Sequence, residues 1–211
     1  VVAGSTGVGK TVMGLQFLAE GLKRGERGLL ISYEQTPNEL RRVAFGLGLP
    51  HEQFAPGAAV DIFHRRPARQ PLGLLAAETV ALIRARRPQR LVIDAISTLA
   101  KSALTENGHR HDLMAMLAHV RALGVTALVL DETPGIVSDL EVTGGVMISS
   151  LVDNIILLRY VELASEVRRA MLVLKARYVD HDKEIREFTI GPGGVALQDK
   201  FQVTTGLLRG E

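Results

Sequence analysis

The 211-residue chain is 46% hydrophobic, enough for one well-buried α/β core and too little for two ordinary ones. It has no cysteine, which excludes disulfides and thiolate metal sites and makes an intracellular, cytoplasmic protein the default. Its 25 basic and 23 acidic side chains leave a formal charge of +2, too small to argue for nucleic acid; no apolar run approaches the roughly 20 residues of a membrane span, and secretion is not expected.

Val1-Val2-Ala3 reads as a strand entering Gly4-Ser5-Thr6-Gly7-Val8-Gly9-Lys10-Thr11, which fits G-x-x-x-x-G-K-[ST] at every fixed position. Val1 stands so close to Gly4 that a missing lead-in segment, or a longer parent protein, is expected. Leu15, Leu18 and Leu22 then share a helical face, with Gly25 as the stop. Residues 28–33 read as a buried strand. Thr36-Pro37-Asn38-Glu39 combines a capping box with proline at the first helical position, so a helix runs from there to about Gly48.

Val60 to Phe63 reads as a short strand, and Leu72, Leu75, Thr79 and Leu82 mark a helix closed by Pro88. Arg90 to Asp94 is a further buried strand. Leu113, Met116, Leu117, Val120 and Leu123 give a strongly periodic helix, followed by a strand from Val125 to Leu130. From Asn154 onward consecutive strands are expected at 154–161, 168–176, 185–190 and 194–198. The expected fold is a single α/β domain over 1–211: a mainly parallel twisted sheet with helices on both faces, and an antiparallel extension at its C-terminal edge.

A strand ending in a glycine loop that opens a helix can wrap backbone N–H groups around a phosphate, aided by the helix N-terminus. Gly4 to Val12 are therefore the expected nucleotide contacts, with Lys10 on the β- and γ-phosphates of ATP and the Thr11 hydroxyl on Mg²⁺. The alternative is a glycine-rich turn with a chance lysine. Parallel sheets bind ligands at the carboxyl ends of their strands. Asp94 ends the run Leu91-Val92-Ile93 and is a second candidate for the metal shell; a helix-capping role is its alternative. Glu34 ends the strand 28–33, where it can act as the general base and approach the metal; its alternative is a first-turn acid supporting the next helix. His109 and His111 do not share a helical face and make no metal pair, and Arg84, Arg86, Arg87 and Arg90 suit a helix C-terminus without any ligand.

A catalytic acid directly after the second strand resembles the RecA-like P-loop ATPases. Within them the chain resembles the KaiC family of clock ATPases and autokinases, and most closely its second, kinase-bearing domain. Gly4–Thr11, Tyr33-Glu34-Gln35, Ile93–Ser97, Asp153–Glu162, Lys175-Ala176-Arg177 and His181–Phe188 carry the likeness. It implies a homo-oligomeric ring, commonly a hexamer, with ATP between subunits, a signalling output and protein partners in it. Lys175 and Arg177 match the family's K-x-R, whose cations reach the γ-phosphate bound to the next subunit, and Arg169, His181 and Lys183 match nucleotide contacts from the same side. Ser149 and Ser150 align with the family's autophosphorylated pair; two ordinary small residues are the alternative. The chain departs from the pattern at Gln35, where the family has a second glutamate, at Tyr178, where it has glycine, and in carrying one P-loop rather than two.

Two other functions compete. A recombinase- or helicase-type motor of the same superfamily would need basic or aromatic residues in its central loops. The segment Asp131 to Ile148 has none, and carries Asp131, Glu132, Asp139 and Glu141 instead, so nucleic acid is not expected. A monomeric kinase of a small metabolite would leave Lys175 and Arg177 without a role.

Overall fold

A computed structural model describes residues 1–66, 71–101, 106–132, 152–163 and 165–201. One nine-stranded sheet organises them, in the order β3-β2-β4-β5-β1-β6-β7-β8-β9. The strands are β1 Val2–Gly4, β2 Gly28–Ser32, β3 Val60–His64, β4 Arg90–Asp94, β5 Thr126–Glu132, β6 Asn154–Leu163, β7 Glu166–Ala176, β8 Arg186–Gly191 and β9 Gly194–Lys200. Strands β1 to β6 run parallel, and β7 to β9 are added as antiparallel hairpins. The antiparallel extension thus begins one strand later than the change of pattern at Asn154 implies, because β6 pairs with β1 in the parallel sense.

Side chains alternate between faces along a strand, and both faces of this sheet are covered, so the interior positions of its central strands are apolar. Leu29, Ile31, Leu91 and Ile93 pack under α3 (Leu72–Arg86) and α5 (Glu106–Ala122), against Leu75, Ile83, Leu113 and Met116. Leu30, Val92, Leu130 and Leu158 face the other way, against Leu15 and Leu18 of α1 (Lys10–Leu22) and Leu40 of α2 (Pro37–Gly46). The capping box at α2 forms: Glu39 N–H donates to the Thr36 hydroxyl, and Thr36 N–H donates to the Glu39 carboxylate at 2.7 Å. Helix α2 ends at Gly46, slightly before the expected stop, and Gly48 takes φ +66° in the turn that follows.

Several details differ from the pattern. Ile83, rather than Leu82, is the fully buried residue of α3's last turns, and Leu82 packs at the margin. Leu123 is 37% exposed because α5 stops at Ala122 and Gly124, at φ +68°, turns the chain away. A short helix α4 (Ile96–Lys101) follows β4, and a 3-10 turn occupies His51–Phe54; neither carries enough periodicity to be read from sequence. Strand β5 continues to Glu132, so Asp131 is a buried strand residue, 1% exposed, and not part of a loop that meets a strand of nucleic acid. Asp139, Glu141, Ser149 and Ser150 lie outside the described residues.

Candidate functional site

Strand β1 ends at Gly4 and the chain turns through Ser5–Gly9 into α1. Glycine is required at two of these positions for different reasons. A Cβ on Gly4 would lie 2.5 Å from the Leu158 carbonyl oxygen, so β6 can approach only a bare backbone. Gly9 takes φ +122°, and a Cβ there would lie 2.7 Å from Ile190 Cδ1 of β8. Beneath the loop Val8 is wholly buried, and Ser5 Oγ is buried with no hydrogen-bond partner among the described residues. Val12 lies half-buried on the first turn of α1.

Lys10 opens α1 and folds back over the loop, its Nζ donating to the Gly4 and Ser5 carbonyls, each at 2.8 Å. One residue on, the Thr11 hydroxyl donates to Asp94 Oδ2 at 2.8 Å. Asp94 ends β4 and is 2% exposed. Register explains the convergence: Ser32 pairs with Asp94 across β2 and β4, so Glu34, just past Ser32, emerges at the same sheet edge. Glu34 is exposed and accepts a hydrogen bond from the Thr98 hydroxyl of α4. Between β1 and β4 lies β5, whose last residue Glu132 accepts a 2.5 Å hydrogen bond from the Thr6 hydroxyl and donates its backbone N–H to Ser97 Oγ at 3.2 Å.

The electrostatics of this edge are unbalanced. Burial lowers the Lys10 ammonium from its usual pKa, against the opposing pull of Glu132, Asp94, Glu34 and Asp131. Burial pushes the Asp94 carboxyl up to about 6; the Thr11 hydroxyl and Lys10 oppose that rise and Glu34 adds to it. Lys10, the one lysine of the loop, therefore faces several carboxylates, which makes a weak receptor for a polyanion without other cations beside it.

A divalent cation fits the groups present. Thr11 and Asp94 are hard oxygen donors within hydrogen-bond reach of each other, and the unpaired Ser5 hydroxyl lies buried in the adjoining loop. Among the described residues no group of three or more His, Cys, Asp or Glu could hold a metal. That sparse set suits Mg²⁺, which relies on one or two carboxylates, water and substrate phosphates rather than an all-protein cage.

Lys175 and Arg177 are not part of this constellation within one chain. Strand β7 runs antiparallel to β6, pairing Lys175 with Ile155, whereas Gly4 pairs with Leu158. Three residues of strand put Lys175 about 10 Å behind the level of Gly4, on the side away from the loop. There Lys175 Nζ donates to the Val152 carbonyl at 3.1 Å and Arg177 N–H to the Asp153 carbonyl at 2.9 Å. His181 and the exposed Lys183 follow in the β7–β8 connection. Tyr178, at φ +66°, is 86% exposed beside them.

Arg169 is separated from that group. It pairs with Tyr160 at the opposite end of β7, its guanidinium 5.5 Å from the centre of the Tyr160 ring. The Tyr160 hydroxyl in turn lies 3.3 Å from where a Cβ on Gly7 would stand, so Arg169 sits beside the P-loop of its own chain. The sequence reading gives Thr98 and Tyr160 no role at the site and takes Glu132 only as a loop acid. Glu132 follows an apolar strand just as Asp94 does, and that signal could have found it; Thr98 and Tyr160 carry none.

Comparison with known proteins is consistent with this fold. The family described as "ATPase: KaiC" matches residues 1–201. The circadian clock protein KaiC3 of a Synechocystis species is 32% identical over 210 residues, which is 100% of this chain and 41% of that protein. The circadian clock oscillator protein KaiC of a Picosynechococcus species is 32% identical over 202 residues, 96% of this chain and 39% of its own. That of Thermostichus vulcanus is 30% identical over 210 residues, 100% of this chain and 40% of its own. The chain thus spans about two-fifths of the length of these relatives. No described helix is long and apolar enough to cross a membrane. With a RecA-like sheet, a P-loop at the carboxyl end of its central strand β1 and a match along nearly its whole length, the chain belongs to the KaiC ATPase family.

Proposed function

We propose that this domain hydrolyses Mg-ATP at a site completed by a neighbouring copy of the chain, in a homo-oligomeric ring of the hexameric kind. The observation that carries the proposal is the register of β7. It holds Lys175 and Arg177 behind their own P-loop, while at that P-loop Lys10, with Arg169 beside the loop, stands among several carboxylates. Exposed apolar side chains flank the displaced cations, with Tyr178 86% and Val179 64% accessible, as expected of surface that meets another subunit.

In this reading Thr11 and Asp94 hold Mg²⁺, and Lys10 exchanges the Gly4 and Ser5 carbonyls for phosphate oxygens. Bound there, the metal would neutralise phosphate charge and polarise the γ-phosphoryl group. Glu34, held by Thr98, orients the attacking water and takes its proton as the bond to the leaving ADP breaks. Lys175 and Arg177 from the neighbour stabilise the charge spread over the transferring group, the arginine-finger strategy. His181 and Lys183 belong to that same lent surface, and Arg169 acts at its own chain's P-loop.

The test is complementation. Lys10→Ala and Arg177→Ala are each expected to be inactive alone, and mixing them should restore part of the turnover, because some interfaces then hold an intact Lys10 and an intact Arg177. A mixture that stays inactive while both variants assemble, or an Arg177→Ala monomer with full turnover, overturns the shared site. Transfer to Ser149 and Ser150 in a clock-type signalling output is read by phosphopeptide mapping after incubation with Mg-ATP, and absence of label removes it. No observation favours the nucleic-acid motor, although the buried Asp131 no longer counts against it; salt-sensitive binding to single-stranded DNA would revive it.

A further inference from the structure

Glu132 has no part in the scheme above, yet it touches the P-loop directly. It ends β5, the strand inserted between the P-loop strand β1 and the Asp94 strand β4. Its carboxylate receives the Thr6 hydroxyl at 2.5 Å, and its backbone is tied to Ser97 on the stretch that follows Asp94. Among the charged groups around Lys10, it exerts the strongest pull on the ammonium. Glu34 has Thr98 and Asp94 has Thr11, so each of these three acids accepts from a hydroxyl, and Glu132 is the one held by the loop itself.

We propose that Glu132 is a selectivity residue, an anion fixed at the phosphate end of the P-loop that disfavours nucleotide arriving without a divalent cation. The inference rests on the nucleotide-binding reading of this loop. A fixed negative charge repels a metal-free triphosphate, which carries close to four charges, about twice as strongly as the magnesium complex, which carries about two. Removing the Glu132 charge should relax that penalty unequally for the two forms. The hydrogen bond from Thr6 separates this role from a structural one, because a neutral amide at position 132 still accepts it.

The experiment is equilibrium binding of ATP to wild type, Glu132→Gln and Thr6→Val, in Mg²⁺ and again in excess chelator, with folding checked by thermal melting. Glu132→Gln is expected to tighten chelated ATP by roughly tenfold and Mg-ATP by about threefold or less, so that the preference for the metal complex shrinks. Thr6→Val alters the loop itself and is expected to weaken both forms, but it keeps the Glu132 charge, so the ratio of the two affinities should stay at the wild-type value. If Glu132→Gln leaves the ratio of the two affinities unchanged, or weakens both equally, the inference is wrong and Glu132 only braces the loop. Wild type that binds ATP in neither condition refutes the nucleotide reading instead. Should Glu132→Gln not fold, Glu132→Ala is read by the same ratio.

Discussion

Replacing Asp94 by asparagine should stabilise the metal-free protein while crippling it. Asp94 is 2% exposed, and burial raises its carboxyl from 3.8 to about 6. Each pKa unit is worth about 1.4 kcal/mol, so keeping it ionised costs the folded state about 3 kcal/mol well above pH 6. The sign follows from proton counting: between pH 4 and 6 the native protein retains a proton that the unfolded chain has lost. Stability from this group is therefore complete below about pH 4 and is lost as pH rises through about 6. An amide at position 94 still accepts the Thr11 hydroxyl and has nothing to titrate. Urea unfolding in chelator should then show the stability of Asp94→Asn relative to wild type rising by about 2 kcal/mol between pH 4.5 and pH 8. With Mg-ATP the order should reverse, because only wild type gains stability from bound ligand. A variant less stable than wild type at pH 8 in chelator, or a gap that does not move with pH, refutes the argument.

Glu34→Gln retains an acceptor for Thr98 and loses the base, so ATP turnover should fall by roughly 10²- to 10⁴-fold with affinity changed only a few-fold. Single-turnover rates beside equilibrium binding measure this, and undiminished turnover would move the base elsewhere. Gly9→Ala and Gly25→Ala make a matched pair. Both residues have positive φ, but a methyl at Gly9 meets Ile190 at 2.7 Å whereas nothing lies within 4 Å of one at Gly25. Denaturant unfolding should show a loss of about 1 kcal/mol for Gly25→Ala and more for Gly9→Ala, and only Gly9→Ala should lose nucleotide binding. Equal losses would mean that neither the φ of +122° at Gly9 nor its contact with β8 adds to the ordinary cost of a positive φ.

How far the chain could be read without its structure varied with the kind of signal. The P-loop, the Thr36 capping box and the strands ending at Asp94 and near Glu34 were legible because each depends on residues adjacent in sequence: a glycine turn, a cap three residues from its acid, an apolar run closed by a carboxylate. Short α4 gave no periodic pattern, and Leu123 kept the helical period one residue past the helix end, so both were misjudged on local grounds.

Tertiary pairing decided the rest. Whether Asp131 and Glu132 stand in a loop or a strand depends on β5 extending beside β1, and their pattern alone does not show it. That Arg169 stays at its own P-loop while Lys175 and Arg177 lie behind it follows from β7 reversing direction against β6. In a strand, a residue's height in the sheet is set by its cross-strand partner, which is chosen by contacts distant in sequence. Composition and spacing therefore determined which chemical groups this chain possesses, and the order and register of the sheet determined which of them share one phosphate-binding edge.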